Sequence, residues 1–336
     1  MSVPDDVTTT PAITAPEPAL AKPALPEDRS CLLPLAPGRL WVQDLGPELA
    51  HTSEGAPPIL LLHSILLTGW DFRFIADPLA QAGRRVLAPD LFGCGNSDRP
   101  APADASGYGF EWHAELLVTM LASMGIEEID LLGHGYGGSV AIHLARLLAR
   151  PRARTRVRRL ILLAPYCLAV EAPIALPGPM PRMRRAWRWI GFSPLVFRTA
   201  FRRADLRRFL RRSLSTVELL ERPEFVDDVD VYWDRLCRDG GLEAVEAMLE
   251  QLDALHDDAR DGVRERLHSA MASLVVPTMV VWGDRDAIVP TPLAEPTLAL
   301  FPDAELRIIE GCGHAPQRER PKALLRVLDS FDHRMR

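Results

Sequence analysis

The chain is short of the features that would place it in several large protein classes. It carries five cysteines in 336 residues, at positions 31, 94, 167, 237 and 312, and no two stand at the spacing of a metal-ligand pair. An odd, scattered set of thiols argues against a disulfide framework and for a reducing compartment. No stretch approaches the roughly 20 consecutive apolar residues that a membrane-spanning helix requires. The opening segment MSVPDDVTTTPAITAPEPALAKPALPEDRS lacks the positive start and apolar centre of a secretion signal, so a disordered tail and a cytoplasmic location are expected. Excess positive charge is missing too. A formal net charge of −6 leaves the molecule as a whole without the electrostatic footprint of a nucleic-acid binder. There is no internal repeat.

What is present reads as an ordinary soluble α/β chain, 47% hydrophobic and 25% charged. Short aliphatic runs predict buried strands at PPILLLH (57–63), RRVLAPDL (84–91), EEIDLLG (127–133), RRLILLAP (158–165), PTMVVWGD (277–284) and AELRIIEG (304–311). LWVQDLG, near residue 41, is a candidate antiparallel edge strand. Helix-length amphipathic segments such as HAELLVTMLASMG and VAIHLARLLAR lie between several of them. Strands separated by crossover helices imply a mostly parallel sheet flanked by helices. The rhythm breaks between Leu168 and Leu274, where strand patterns vanish and Arg-rich helical segments take over. The expected organisation is a Pro/Thr/Ala-rich tail (1–32), the first part of an α/β core (33–167), a helical cap inserted over the carboxyl edge of the sheet (168–274) and the second part of the core (275–336).

The motifs that carry chemistry occur in a telling order: LLLHSILLTGW, DLFGCGNSDRP, LLGHGYGGSV, WGDRDAIVP and GCGHAP. Each is weak alone. Together they resemble the α/β-hydrolase superfamily over roughly residues 35–335. On that resemblance GHGYGG occupies the nucleophile elbow, normally Gly-x-Ser-x-Gly, a sharp strand-to-helix turn where Gly133 and Gly137 avoid a backbone clash. The competing reading, a dinucleotide loop, needs different glycine spacing and a ribose-binding acid about 20 residues further on. The resemblance also implies His314 as general base and Asp286 as the acid that orients it, with Asp284 assigned to the turn. Backbone N–H groups of Ile65 and Tyr136 would form the oxyanion hole. The remaining candidates His113, His134, His143 and His256 are expected on helices or in packing.

Two departures stand out. The elbow's central position is Gly135, which has no side chain to attack with. The family usually writes His-Gly after its third strand, and this chain writes His63-Ser64. The Ser64 hydroxyl either points into the space vacated at Gly135, ordering a water or substrate, or bonds its own loop. Cys94 is a substitute nucleophile to weigh against a role as a small buried thiol.

Three functions follow from these residues. One is a non-standard enzyme in which His314 and Asp286 perform acid–base catalysis on a small, mostly apolar substrate, by elimination, isomerisation, cyclisation or direct hydrolysis. The second is an inactive, ligand-binding relative that kept the pocket. The third is a serine esterase or epoxide-type hydrolase whose nucleophile was replaced, naturally or by engineering. No residue pattern calls for a metal or organic cofactor. The Arg-rich stretch 181–213, with Asp205 its one acid, fits an anionic partner or surface, or else a solvated helix face paired with acids just downstream.

Overall fold

The computed structural model describes residues 29–46, 56–101, 107–168, 201–223, 225–255 and 262–334. Its centre is one eight-stranded sheet in the order β1-β2-β4-β3-β5-β6-β7-β8. The strands are β1 (Ser30–Leu35), β2 (Gly38–Leu45), β3 (Ile59–Leu62), β4 (Val86–Pro89), β5 (Glu128–His134), β6 (Arg156–Leu163), β7 (Thr278–Gly283) and β8 (Ala304–Ile309). Pairing is parallel from β4 to β8, and β2 and β1 add antiparallel at the β4 edge. Every strand expected from an aliphatic run is present, and β1 is an addition.

The aliphatic runs have a direct physical reason. In β3, Leu60 and Leu62 enter one hydrophobic core while Ile59 and Leu61 enter another, because alternate side chains leave a strand on opposite faces. A strand covered on both sides has no polar face to present. Each fully buried side chain of this kind stabilises the fold by about 1.5–3 kcal/mol. Helices α2 (Phe110–Ser123) and α3 (Tyr136–Leu148) line the first core; α1 (Arg73–Gln81) and α10 (Pro321–Arg334) line the second.

The interval between β6 and β7 holds helices α4 (Arg203–Ser213), α5 (Asp228–Leu236), α6 (Gly241–Ala254) and α7 (Val263–Ser273), with no strand among its described residues. In α4, Leu206, Phe209 and Leu210 are buried at helical spacing while the arginines face outward. Of those arginines, Arg203 pairs with Asp230 and Arg208 with Asp205. That matches a solvated face for this part of the Arg-rich stretch; residues 181–200 and His256 lie outside the described residues. Contacts tie the inserted helices to the carboxyl ends of the parallel strands. His314 N donates to Ser213 O at 2.7 Å, Tyr232 Oη to Asp71 Oδ1 at 3.2 Å and Arg235 Nη1 to Thr68 Oγ1 at 3.0 Å. Open α/β sheets bind ligands at that edge. No helix among the described residues is long and apolar enough to cross a membrane.

Candidate active site

The turn from β5 to α3 is built on close backbone approach. A Cβ on Gly133 would lie 2.4 Å from Gly137 O, and one on Gly137 would lie 2.2 Å from Leu62 O. Side chains there would push the strand and helix apart. Gly135, between them, holds φ +50° and ψ −112°, a sparsely populated conformation that L residues adopt only under strain. Its N–H donates to Leu163 O at 2.9 Å, which ties the turn to the end of β6.

Ser64 comes to the same spot from the loop after β3. A Cβ on Gly135 would lie 2.3 Å from Ser64 Oγ and 3.0 Å from Ser64 Cβ. The hydroxyl therefore occupies the volume into which a side chain at position 135 would grow. Its oxygen accepts the Tyr136 N–H at 3.3 Å. The Ile65 N–H has no hydrogen-bond partner among the described residues. His63 braces this loop: its Nε2 accepts the Leu91 N–H at 2.9 Å, so its Nδ1–H donates to Ser64 O at 2.8 Å.

His314 and Asp286 arrive from the loops after β8 and β7. His314 Nδ1 lies 2.7 Å from Asp286 Oδ2, both side chains buried. Asp286 Oδ1 accepts the Ile288 and Val289 N–H groups at 2.8 Å each, which fixes the carboxylate and aims Oδ2 at the ring. Asp284 is exposed and accepts the Cys312 N–H at 3.0 Å, a turn role as expected. With Nδ1 donating to the carboxylate, Nε2 is left as the free base.

Two neighbours of His314 escaped the sequence reading. The Tyr166 hydroxyl sits 3.4 Å from His314 Nε2, its ring stacks on the imidazole at 5.7 Å between centroids, and its Cε2 lies 3.1 Å from where a Gly135 Cβ would stand. Burial pushes its phenol well above the usual range, so it stays neutral. His134 was expected in packing, yet it lies at the end of β5 with its ring 4.6 Å from that of His314 and its Nε2 2.9 Å from His314 O. Its Nδ1 accepts from Gln317 Nε2 at 2.9 Å, and the same amide donates to Asp71 Oδ2 at 2.5 Å. Beneath lies a buried ionic set in which Arg318 and Arg73 both pair with Asp228. Burial works to raise the Asp71 carboxyl, but the Arg318 charge and the Gln317 hydrogen bond outweigh it and hold it far below the usual range.

The other candidates have structural settings. His113 lies with Nδ1 2.9 Å from Gly109 O and Nε2 3.2 Å from Phe92 O, and burial lowers it to about 4; His143 stacks on Phe110 and is lowered to about 4 by the same cause. The Cys94 thiol is buried 3.9 Å from Met248 Sδ and pushed up to about 12, so it carries no nucleophilic thiolate. The described residues hold no group of three His, Cys, Asp or Glu side chains suited to a metal ion.

Residues 57–321 match the family model described as the alpha/beta hydrolase fold, and the chain belongs to that family. Among its relatives is the 2-hydroxy-6-oxononadienedioate/2-hydroxy-6-oxononatrienedioate hydrolase of Cupriavidus pinatubonensis, 28% identical over 83% of this chain and 88% of that protein. The 2-hydroxymuconate semialdehyde hydrolase of Pseudomonas putida is also 28% identical, over 74% of this chain and 76% of that protein. A serine hydrolase from the polyaromatic-hydrocarbon-degrading bacterium Cycloclasticus zankles superimposes with a TM-score of 0.70 at 20% identity, covering 91% of this chain and 98% of that one.

Proposed function

We propose that this chain is an α/β-hydrolase-fold enzyme that works without a nucleophile on its elbow, using His314 and Asp286 for acid–base catalysis on a small, mostly apolar substrate. On the family resemblance Gly135 takes the elbow position expected to hold a nucleophile, and the Ser64 hydroxyl occupies the space above it. The observation that carries the reading is the 2.7 Å contact between His314 Nδ1 and Asp286 Oδ2, both buried, with Tyr166 between His314 and Gly135. A carboxylate anchored by two backbone amides has no need to be aimed at an imidazole in a protein that only binds. Such a base contributes about 10²–10⁴-fold, and an oxyanion donor such as the Ile65 N–H about 10²–10³-fold more. The named substrates of the two bacterial relatives, an oxononadienedioate and a muconate semialdehyde, point to small carbonyl compounds.

The test compares wild type with His314→Ala on 2-hydroxymuconate semialdehyde and p-nitrophenyl butyrate. Turnover by wild type and a roughly 10³–10⁴-fold loss of kcat in the variant support the reading. Equal rates in both, or none in either, overturn it.

One observation favours a binding-only role: the Tyr136 N–H, a candidate oxyanion donor, is already engaged by Ser64 Oγ. That role requires ligand affinity with no product formed. The third reading, a serine hydrolase with one residue replaced, is disfavoured by the same crowding, since a Cβ at position 135 would meet Ser64 Oγ at 2.3 Å and Ser64 would have to turn aside.

A further inference from the structure

The hydroxyls around Gly135 form an ordered series. Tyr136 N–H donates to Ser64 Oγ, Ser64 Oγ and the edge of the Tyr166 ring converge on the same point over Gly135, and the Tyr166 hydroxyl faces His314 Nε2 at 3.4 Å. His314 Nδ1–H donates to Asp286. With His314 Nδ1–H donating to the carboxylate, the Tyr166 hydroxyl is placed to donate to Nε2 and to accept from a hydroxyl beside it, so that a proton leaving Ser64 has a path to the imidazole. Tyr166 is built into the turn itself. Its N–H donates to Gly135 O at 3.2 Å, its carbonyl accepts the Ser139 hydroxyl at 2.5 Å, and its Cε2 lies 3.1 Å from where a Gly135 Cβ would stand. Two residues before it stands Ala164, a non-glycine residue at φ +39°, a strained conformation.

We propose that the nucleophile has moved from the elbow to the loop after β3: Ser64 attacks the substrate carbonyl, and Tyr166 relays its proton to His314. The inference rests on the His314–Asp286 reading and deepens it. With a carboxylic ester, Ser64 Oγ bonds to the carbonyl carbon and the π pair moves onto the carbonyl oxygen, beside the Ile65 N–H. The Ser64 proton passes to Tyr166 Oη as Tyr166 passes its own to His314 Nε2. Collapse of the intermediate breaks the ester C–O bond, and the proton returns along the same path to the departing alcohol. Water then attacks the acyl-Ser64, gives up its proton by the same route, and the carboxylic acid leaves as the serine hydroxyl re-forms. Tyr166 stays neutral in the resting site, where burial keeps its phenol protonated.

The test is labelling of the wild-type protein with a fluorophosphonate, followed by mapping of the modified peptide, with p-nitrophenyl butyrate turnover measured in parallel. The adduct is expected on Ser64. Ser64→Ala should lose at least 100-fold in both labelling and turnover. Tyr166→Phe should keep the adduct on Ser64 but slow it 10–100-fold, lowering kcat more than KM. The swap of Ser64→Gly with Gly135→Ser should move the adduct to position 135. No adduct on wild type, an adduct on any other residue, or unchanged rates in Ser64→Ala overturn the proposal. If turnover then still collapses in His314→Ala, the dyad reading stands and only the nucleophile assignment fails. If His314→Ala is silent as well, both fail.

Discussion

Gly135 and Ser64 share one small volume, and neither is intelligible alone. The two positions are sterically linked, because a Cβ at 135 would sit 2.3 Å from the Ser64 hydroxyl oxygen. Gly135→Ala should therefore destabilise on two counts. Forcing a side chain onto φ +50° costs about 1–3 kcal/mol. Overpacking against Ser64 costs about 1–3 kcal/mol more. Adding Ser64→Gly should recover the second part, so urea denaturation of the single and double variants should show a clear non-additive coupling. Additive effects would mean that the two side chains do not compete for this space.

At the scale of elements, the loop bearing His314 is held by Glu319, at the end of α9 (Pro316–Glu319). Its Oε1 accepts the Gly313 N–H at 2.9 Å and its Oε2 the Ser215 N–H at 2.7 Å. One buried carboxylate thus joins the histidine loop to the residues just after α4. Glu319→Ala leaves both amides without acceptors, at about 1–3 kcal/mol each. Thermal denaturation should show the loss, and kcat on p-nitrophenyl butyrate should fall with it because the imidazole is no longer fixed. Glu319→Gln, which keeps one acceptor, should fall between wild type and Glu319→Ala in both measurements.

For the whole molecule, a second buried charge cluster lies well away from the candidate site. Asp130, fully buried in β5, is paired with Arg84, Arg158 and Arg159; Asp332 on α10 pairs with the same arginines. Four residues along a strand separate Asp130 from His134, about 13 Å. Burial works to raise the Asp130 carboxyl, but the Arg158 hydrogen bonds and the Arg84 and Arg159 charges outweigh it and hold it below the usual range. A depressed folded-state value means that this stabilisation is present above the unfolded value of roughly 3.9 and is lost as pH falls through the folded value. Asp130→Ala leaves buried guanidinium groups underpaired and should cost about 3–5 kcal/mol at neutral pH. The difference from wild type should shrink as the acid is titrated, whereas activity at low temperature should change little. An equal loss at pH 7 and pH 3 would contradict this account.

The sequence alone determined the elements whose signal is local. Buried strands must be apolar throughout, so six of eight were legible as aliphatic runs and β2 as a suggested edge. Strand β1 was not: an edge strand with exposed positions and Pro34 in it carries no such run. Motif order pairs His314 with Asp286, and the sequence leaves open whether Ser64 turns toward Gly135 or bonds its own loop. Tyr166, His134, Gln317 and Glu319 could be found only in three dimensions. Register sets Gly133 and His134 of β5 beside Leu162 and Leu163 of β6, and this alignment alone swings Tyr166 back over Gly135. Local patterning states which residues must be buried or must turn. Which hydroxyl faces which nitrogen is decided by how strands from distant parts of the chain line up, and no short stretch of sequence contains that information.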